Sequence, residues 1–275
     1  MFNFLRKKIG IIGFGNMGQA LGERIKQEYA VLAFDKIKKI VSKNVRVASS
    51  PEELVKKSEV IILAVKPQDF ESLLEEIRPF VKGKLIISIA AGKTAEYIRD
   101  KLGEGARIIR VMPNLPAQVG QGVSVLFKDK SATEKDLNLA WLLLRYVGIA
   151  EPVDQESIIN AVTAVSGSGP AFFCQYIQDE NNAGQMSNTF IEELTEAARE
   201  IGLDPQFARV LSERTVEGTL AMLKEKKLSC KDLIAMVASK GGTTQAGLDV
   251  LYAGGSLNGA VKAALRRADE LGKRG

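Results

Sequence analysis

IGIIGFGNMG, residues 9–18, is the stretch on which the fold turns. Ile9 to Ile12 read as a short buried strand, and they run straight into Gly13, Phe14, Gly15, Asn16, Met17 and Gly18 and then into a helical pattern. A GxGxxG string is weak by itself, but here it has the strand, turn and helix that its physics requires. Gly13 permits the tight turn, Gly15 lets the backbone approach a pyrophosphate, and Gly18 lets helix pack on strand, which aims backbone N–H groups at an anion.

Moving outward, short Ile- and Val-rich runs recur between longer amphipathic segments, as buried parallel strands joined by crossover helices do. The strands are predicted at Ile9–Ile12, Val31–Phe34, Val45–Val47, Val60–Val65, Leu85–Ile89 and Ile108–Val111, with a last one at Val123–Lys128. Helices are predicted between them at Met17–Glu28, Pro51–Lys57, Phe70–Val81 and Thr94–Leu102, with Pro51 in a first turn and Thr94 as a cap. The plan is an α/β doubly wound parallel sheet. Beyond Pro113–Gly122 the apolar spacing becomes helical, at Thr133–Tyr146, Glu156–Val165, Pro205–Leu223, Lys231–Ala238, Thr244–Leu251 and Leu257–Leu271. A boundary near residue 155 therefore separates a nucleotide-binding domain, 1–155, from a helical domain, 156–275. Gln178–Asn188 is polar and carries Gly184, so it reads as a mobile loop, with an uninterrupted helix as the alternative.

Composition removes whole classes of chemistry. The 275 residues include no histidine, which excludes a His general acid, a Ser-His-Asp triad and any His-containing metal site. Cys174 and Cys230 have no CxxC spacing and read as reduced packing residues, so no metal site is expected. A net charge of +5 on scattered basic residues gives no footprint for nucleic acid or membrane. No apolar run approaches the roughly 18 residues of a bilayer span. Met1–Lys8 lacks the apolar stretch of an export signal, so a soluble, cytoplasmic protein is expected.

Ligands of such sheets sit outside the carboxyl ends of the strands. Asp35 ends the second strand at the spacing of an acidic residue that binds adenosine ribose hydroxyls, which favours NADH. Lys36, Lys38 and Lys39 follow at once and offset its repulsion of a 2′-phosphate, so NADPH stays open. Ala64, Val65, Lys66 and Pro67 follow one strand and Ala91 and Gly92 another, leaving room for a nucleotide; Lys66 also reads as a solvated strand-end charge. Pro113 and Pro116 frame Asn114, an amide able to donate and accept near a nicotinamide. Far along the chain, Gly241 and Gly242, followed by a threonine suited to cap the helix from Thr244, build an anion-binding helix N-terminus.

Together these motifs resemble the Δ1-pyrroline-5-carboxylate reductase family. The matching stretches are IGFGNMG at 12–18, LAVKPQ at 63–68, VMPNLPAQVGQG at 111–122, AVSGSGPA at 164–171, EELTEAAREIGL at 192–203 and SKGGTTQAGL at 239–248. The resemblance implies a Rossmann domain, a helical domain that forms a homodimer or a higher multiple of dimers, and NAD(P)H-dependent reduction of a cyclic imine to proline. By position it assigns the substrate carboxylate to Ser239, Gly241, Gly242, Thr243 and Thr244, and sets the Thr244 hydroxyl facing the ring nitrogen as the catalytic group. A cyclic imine can arrive protonated and carry its own positive charge, which agrees with the missing histidine. The sequence departs from the family in the polar 178–188 segment, which resembles an insertion, and at Tyr252, where relatives often carry an acid. A β-hydroxyacid dehydrogenase would need lysine where GSGPAFF, 167–173, ends in an aromatic residue, and a nucleotide-sensing protein would not need the GGTT turn.

Overall fold

The computed structural model describes residues 6–179, 181 and 183–273. It opens with β1 (Lys8–Ile12), α1 (Asn16–Ile25), β2 (Ala30–Phe34), β3 (Val45–Val47), α2 (Pro51–Lys57), β4 (Val60–Leu63), α3 (Pro67–Ile77), β5 (Leu85–Ser88) and α4 (Ala95–Leu102). Then come β6 (Arg107–Pro113), β7 (Gly122–Lys128), α5 (Glu134–Leu144) and β8 (Gly148–Val153). The sheet order is β3-β2-β1-β4-β5-β6-β7-β8, so the winding reverses between β1 and β4. That reversal opens a crevice at the strands' carboxyl ends. Strands β1 to β6 pair in parallel, with Ile11 level with Ala33 and Ile62.

Alternate side chains of each strand serve opposite faces. Ile12, Ile61, Leu63, Ile86 and Ile108 form one core with α2, α3 and α4, through Leu54, Phe70, Leu74 and Ile98. Ile11 points the other way, against Gly18 and Gly22 of α1. The central strands are buried on both faces, which is why they read as unbroken apolar runs.

Two features depart from the expected parallel sheet. The Asn114 N–H bonds the Val123 carbonyl and the Asp129 N–H bonds the Ile108 carbonyl, a register running in opposite directions along β6 and β7. The pair is antiparallel because only the eight residues 114–121 join the strands, too little chain for a parallel crossover. Strand β8 was not foreseen. It carries Glu151 and Pro152, both exposed, and buries only Ala150, so it lacks the apolar run that marks its neighbours.

The chain divides into two compact units, residues 6–111 with 126–154, and residues 112–125 with 155–273. The segment 112–125, placed with the first domain on sequence, thus groups with the helices. The second unit contains α6 (Ser157–Val162), a π-helical turn Thr163–Gly167, α7 (Gly169–Ile177), α8 (Ala183–Glu200), α9 (Pro205–Lys226), α10 (Cys230–Val237), α11 (Thr243–Tyr252) and α12 (Leu257–Lys273). Its helices α8 and α9 pack together, as do α11 and α12.

The expected loop at 178–188 shrinks to a break between Ile177 and Ala183, with Gln178 at φ 60°. Residues 184–188 lie in the first turns of α8, while Glu180 and Asn182 lie outside the described residues. The helix begins early because Phe190 anchors it, meeting Phe173 and Tyr176 edge-on at 5.1 Å. A second correction concerns the apolar runs: the 21 helical residues Ser157–Ile177 contain an 18-residue window with mean hydropathy 1.2, which meets the length and composition of a membrane span. Within the second unit, however, most of that stretch is buried, as in a core helix.

Candidate active site

The three loop glycines have three different local surroundings. Gly13 has φ 94°, and a Cβ there would lie 2.5 Å from the Ala64 carbonyl oxygen. At Gly15 a Cβ would meet nothing within 4 Å, so its surface is open to a ligand. Gly18 brings α1 so close to the loop that a Cβ would stand 2.0 Å from the Gly13 carbonyl oxygen. Phe14 is buried, whereas Asn16 and Met17 open α1 from the surface.

Asp35 closes this loop from beneath. Its Oδ2 accepts the Phe14 N–H at 2.7 Å, and its Oδ1 accepts the Ile37 and Lys38 N–H groups at 2.9 and 2.7 Å. Burial pushes the carboxyl up, but these backbone donors and the nearby Lys38 ammonium outweigh it and leave Asp35 below its ordinary range. It is a fixed anion at neutral pH. The Lys38 ammonium in turn donates to Gln19 Oε1.

A cleft of about 560 Å³ lies at the carboxyl ends of β1, β2 and β4. It brings together Gly13, Gly15, Asp35, Lys36, Ala64, Val65 and Lys66, and its volume suits a small ligand. Pro67 opens α3 beside it. Ala91 and Gly92 follow β5 and do not line this cleft; Gly92 has φ 72°. Ile37, Gln68, Asp69, Ser72 and Glu76 do line it. Sequence reasoning proposed none of these as site residues, because it followed strand ends and overlooked the face that α3 turns to the cleft. LAVKPQ, ending in Gln68, was the one available hint.

Asn114 belongs to the second unit, where its amide is engaged internally. Oδ1 accepts the Val123 N–H at 2.7 Å and Nδ2 donates to Ser166 Oγ at 3.0 Å. The side chain is buried, so its evident task is to tie the Leu115–Val119 turn to the π-helical turn. Two of its four hydrogen-bonding positions remain for another group.

At the GGTT turn, Gly241 takes φ 71° and the Gly242 N–H donates to the Ser239 carbonyl at 2.9 Å. The threonine cap expected from sequence does not form. Helix α11 begins at Thr243 and its cap position holds Gly242, whose missing side chain makes room for Ser239 Oγ; a Cβ would lie 2.3 Å from it. The opening amides of α11 therefore have neither an intrahelical acceptor nor a capping side chain. Helix α1 is alike, with Gly15 at its cap. By contrast Ser50, Thr94, Thr133, Asp204 and Ser229 cap α2, α4, α5, α9 and α10 with side-chain oxygens.

Two neighbours of this turn were missed on sequence as site residues. Arg267 of α12 donates from Nε to the Gly241 carbonyl at 2.7 Å, bringing a guanidinium beside the turn. Ser168, buried at the head of α7, accepts from the Thr244 hydroxyl at 3.1 Å. AVSGSGPA marked the neighbourhood of Ser168, but Arg267 sat in a basic stretch indistinguishable from a solvated face.

Comparison with known proteins places two family models on the chain. "NADP oxidoreductase coenzyme F420-dependent" matches residues 8–92, and "Pyrroline-5-carboxylate reductase dimerisation" matches residues 185–273. Pyrroline-5-carboxylate reductase of Methanosarcina acetivorans is 36% identical, over 98% of this chain and 99% of its own. Pyrroline-5-carboxylate reductase 2 of Bacillus subtilis is 33% identical, over 89% of this chain and 87% of its own. The crystal structure of Plasmodium falciparum pyrroline carboxylate reductase with NADP bound superposes with TM-score 0.62 at 29% identity, covering 97% of this chain and 98% of that one.

Proposed function

The chain belongs to the pyrroline-5-carboxylate reductase family and is an oxidoreductase of that type, and on this premise we propose how its residues reduce Δ1-pyrroline-5-carboxylate to proline. The observation that carries the proposal is the pair of glycine-capped helices, α1 and α11, whose first amides no side chain occupies. Each is a ready anion site, one for a pyrophosphate and one for a carboxylate.

The residues at the first site fit a nicotinamide dinucleotide. The amides from Gly15 to Gly18 at the head of α1 hold the pyrophosphate over the open surface of Gly15, with the Gly13 and Phe14 amides fixing the loop through the Phe34 carbonyl and Asp35, and Asp35 with Lys36 receives the adenosine ribose. Ala64, Val65 and Lys66 wall the cleft and Pro67 opens α3 beside it; Ala91 and Gly92 after β5, and separately Asn114 in the second unit, are the further cofactor residues of this reading. When bound, that cofactor supplies a hydride to the imine carbon. NADH is the favoured donor, because Asp35 opposes a 2′-phosphate, with Lys36, Lys38 and Lys39 lessening that opposition.

At the second site Ser239, Gly241, Gly242 and Thr243 hold the substrate carboxylate, with Arg267, itself paired with Glu270, steadying the Gly241 carbonyl of the turn. Thr244 is the catalytic group that touches the ring nitrogen. No histidine is needed, since a protonated imine brings its own charge. The dimerisation match supports a homodimer, or a multiple of dimers, as the working assembly, and the cytoplasm is its proposed location.

The test is incubation of the purified protein with pyrroline-5-carboxylate and NADH or NADPH, following the absorbance of the reduced nicotinamide. Turnover is expected with both, faster with NADH. Cofactor binding without turnover would make the chain a nucleotide-sensing protein instead. Thr244→Ala should lower kcat/KM by about ten- to a thousandfold, the worth of one well-placed hydroxyl in a preorganised site; unchanged kinetics would remove Thr244 from the mechanism.

A further inference from the structure

We propose that Ser168 is a positioning residue for the Thr244 hydroxyl, an inference that rests on the role given to Thr244 above. The two side chains lie 76 positions apart in sequence, yet the Thr244 Oγ1 donates to Ser168 Oγ at 3.1 Å and both are buried. Ser168 Oγ also donates to the Thr163 carbonyl at 3.3 Å and lies 3.4 Å from Thr243 Oγ1. Ser168 is thus the hub of a small hydroxyl cluster beneath the head of α11, anchored at one end on backbone.

The backbone is shaped to put it there. In the π-helical turn Thr163–Gly167, the Ser168 N–H bonds the Thr163 carbonyl at 3.0 Å, five residues back instead of four. One extra residue turns everything after it by about 100° around the helix axis. With that rotation in place the Ser168 hydroxyl meets Thr243 and Thr244 at the head of α11. The flanking glycines let this irregular backbone seat closely. A Cβ on Gly167 would lie 2.8 Å from Met112 Cε, and one on Gly169 2.8 Å from Thr215 Cγ2. Single π turns of this kind concentrate at functional sites, where they re-aim a side chain.

A threonine hydroxyl can rotate, and at the ring nitrogen its direction decides whether it serves the reaction. Ser168 removes that freedom by holding the hydroxyl in one well, so that the oxygen meets the substrate without searching. The cluster also explains why a buried hydroxyl is tolerated there, since an unsatisfied one would be costly.

A double-mutant cycle with steady-state kinetics tests this. Ser168→Ala should lower kcat about tenfold while KM changes less than twofold, and in a Thr244→Ala background the same change should alter kcat less than twofold. Equal losses in both backgrounds, or wild-type kcat in Ser168→Ala, would overturn the proposal while leaving Thr244 in place. If Thr244→Ala itself had wild-type kinetics, the reading of Thr244 would fail and take the proposal with it. Should Ser168→Ala not fold, Ser168→Cys carries the same cycle with little change of volume. Thermal melts of each variant separate the outcomes further: a merely structural Ser168 would lower Tm and raise KM, with no coupling to Thr244.

Discussion

Asp35 does two jobs with one carboxylate. It fastens the Phe14 N–H, and so the conformation of the glycine loop, and in the proposal above it also offers negative charge to the adenosine ribose. Asp35→Asn keeps the size and loses the charge-assisted bonds, each worth about 1.5–3 kcal/mol. The expected outcome is a Kd for NADH raised by about tenfold or more, with kcat at saturating cofactor within twofold of wild type, read by fluorescence titration alongside initial rates. NADPH binding should weaken less, because removing the charge also removes repulsion of the 2′-phosphate. Wild-type protein that used NADPH at least tenfold more efficiently than NADH would show that Asp35 does not serve as the ribose acceptor.

Helix α11 shows how an element is placed by what it lacks. A Cβ at Gly247 would lie 2.2 Å from Phe172 Cζ on α7 and 2.9 Å from the Ala260 carbonyl oxygen on α12. The backbone carbonyl cannot swing away as a flexible side chain would. Gly247→Ala should therefore destabilise the protein by about 1–3 kcal/mol in urea titrations, and it should disturb the GGTT turn at the head of the same helix. Gly184 in α8 is the control, because a Cβ there meets nothing within 4 Å. Gly184→Ala should be neutral or stabilising by up to about 1 kcal/mol. If both alanines behaved alike, close helix approach would not be what holds α11 in position.

Across the first unit, two ion pairs with buried carboxylates and partly exposed arginines tie distant parts of the chain to the sheet. Arg99 of α4 bonds Asp129 after β7 at 2.6 Å, and Arg107 of β6 bonds Asp136 of α5 at 2.7 Å. Burial pushes the Asp129 carboxyl up, but the Ser131 N–H and hydroxyl and the Arg99 guanidinium more than reverse that and hold it below its ordinary value. A depressed folded-state pKa contributes stability that is present above the unfolded value, near 3.9, and fades as pH falls through the folded one. Asp129→Asn should thus cost about 1.5–3 kcal/mol at pH 7, and the gap from wild type should narrow as pH drops below about 4. Urea denaturation across that range is the measurement, and a gap independent of pH would mean the ion pair is not its source.

Residues 9–18 and the apolar runs after them were enough to establish strands β1 to β7, the doubly wound plan of β1 to β6 and the glycine turn, because each rests on a pattern a few residues long; the antiparallel pairing of β7 was not among them. The buried strands advertise themselves by having no polar face. Strand β8 escaped notice because an exposed edge strand has no such run. The short break before α8 was drawn too long because the aromatic contacts that start the helix early lie in α7, not in the polar segment. Likewise the glycine cap of α11, the engagement of Asn114 with Ser166, and the meeting of Ser168 with Thr244 belong to tertiary structure alone. They bring together groups up to 76 residues apart, and a hydrogen bond between such groups leaves no periodicity in either stretch of chain.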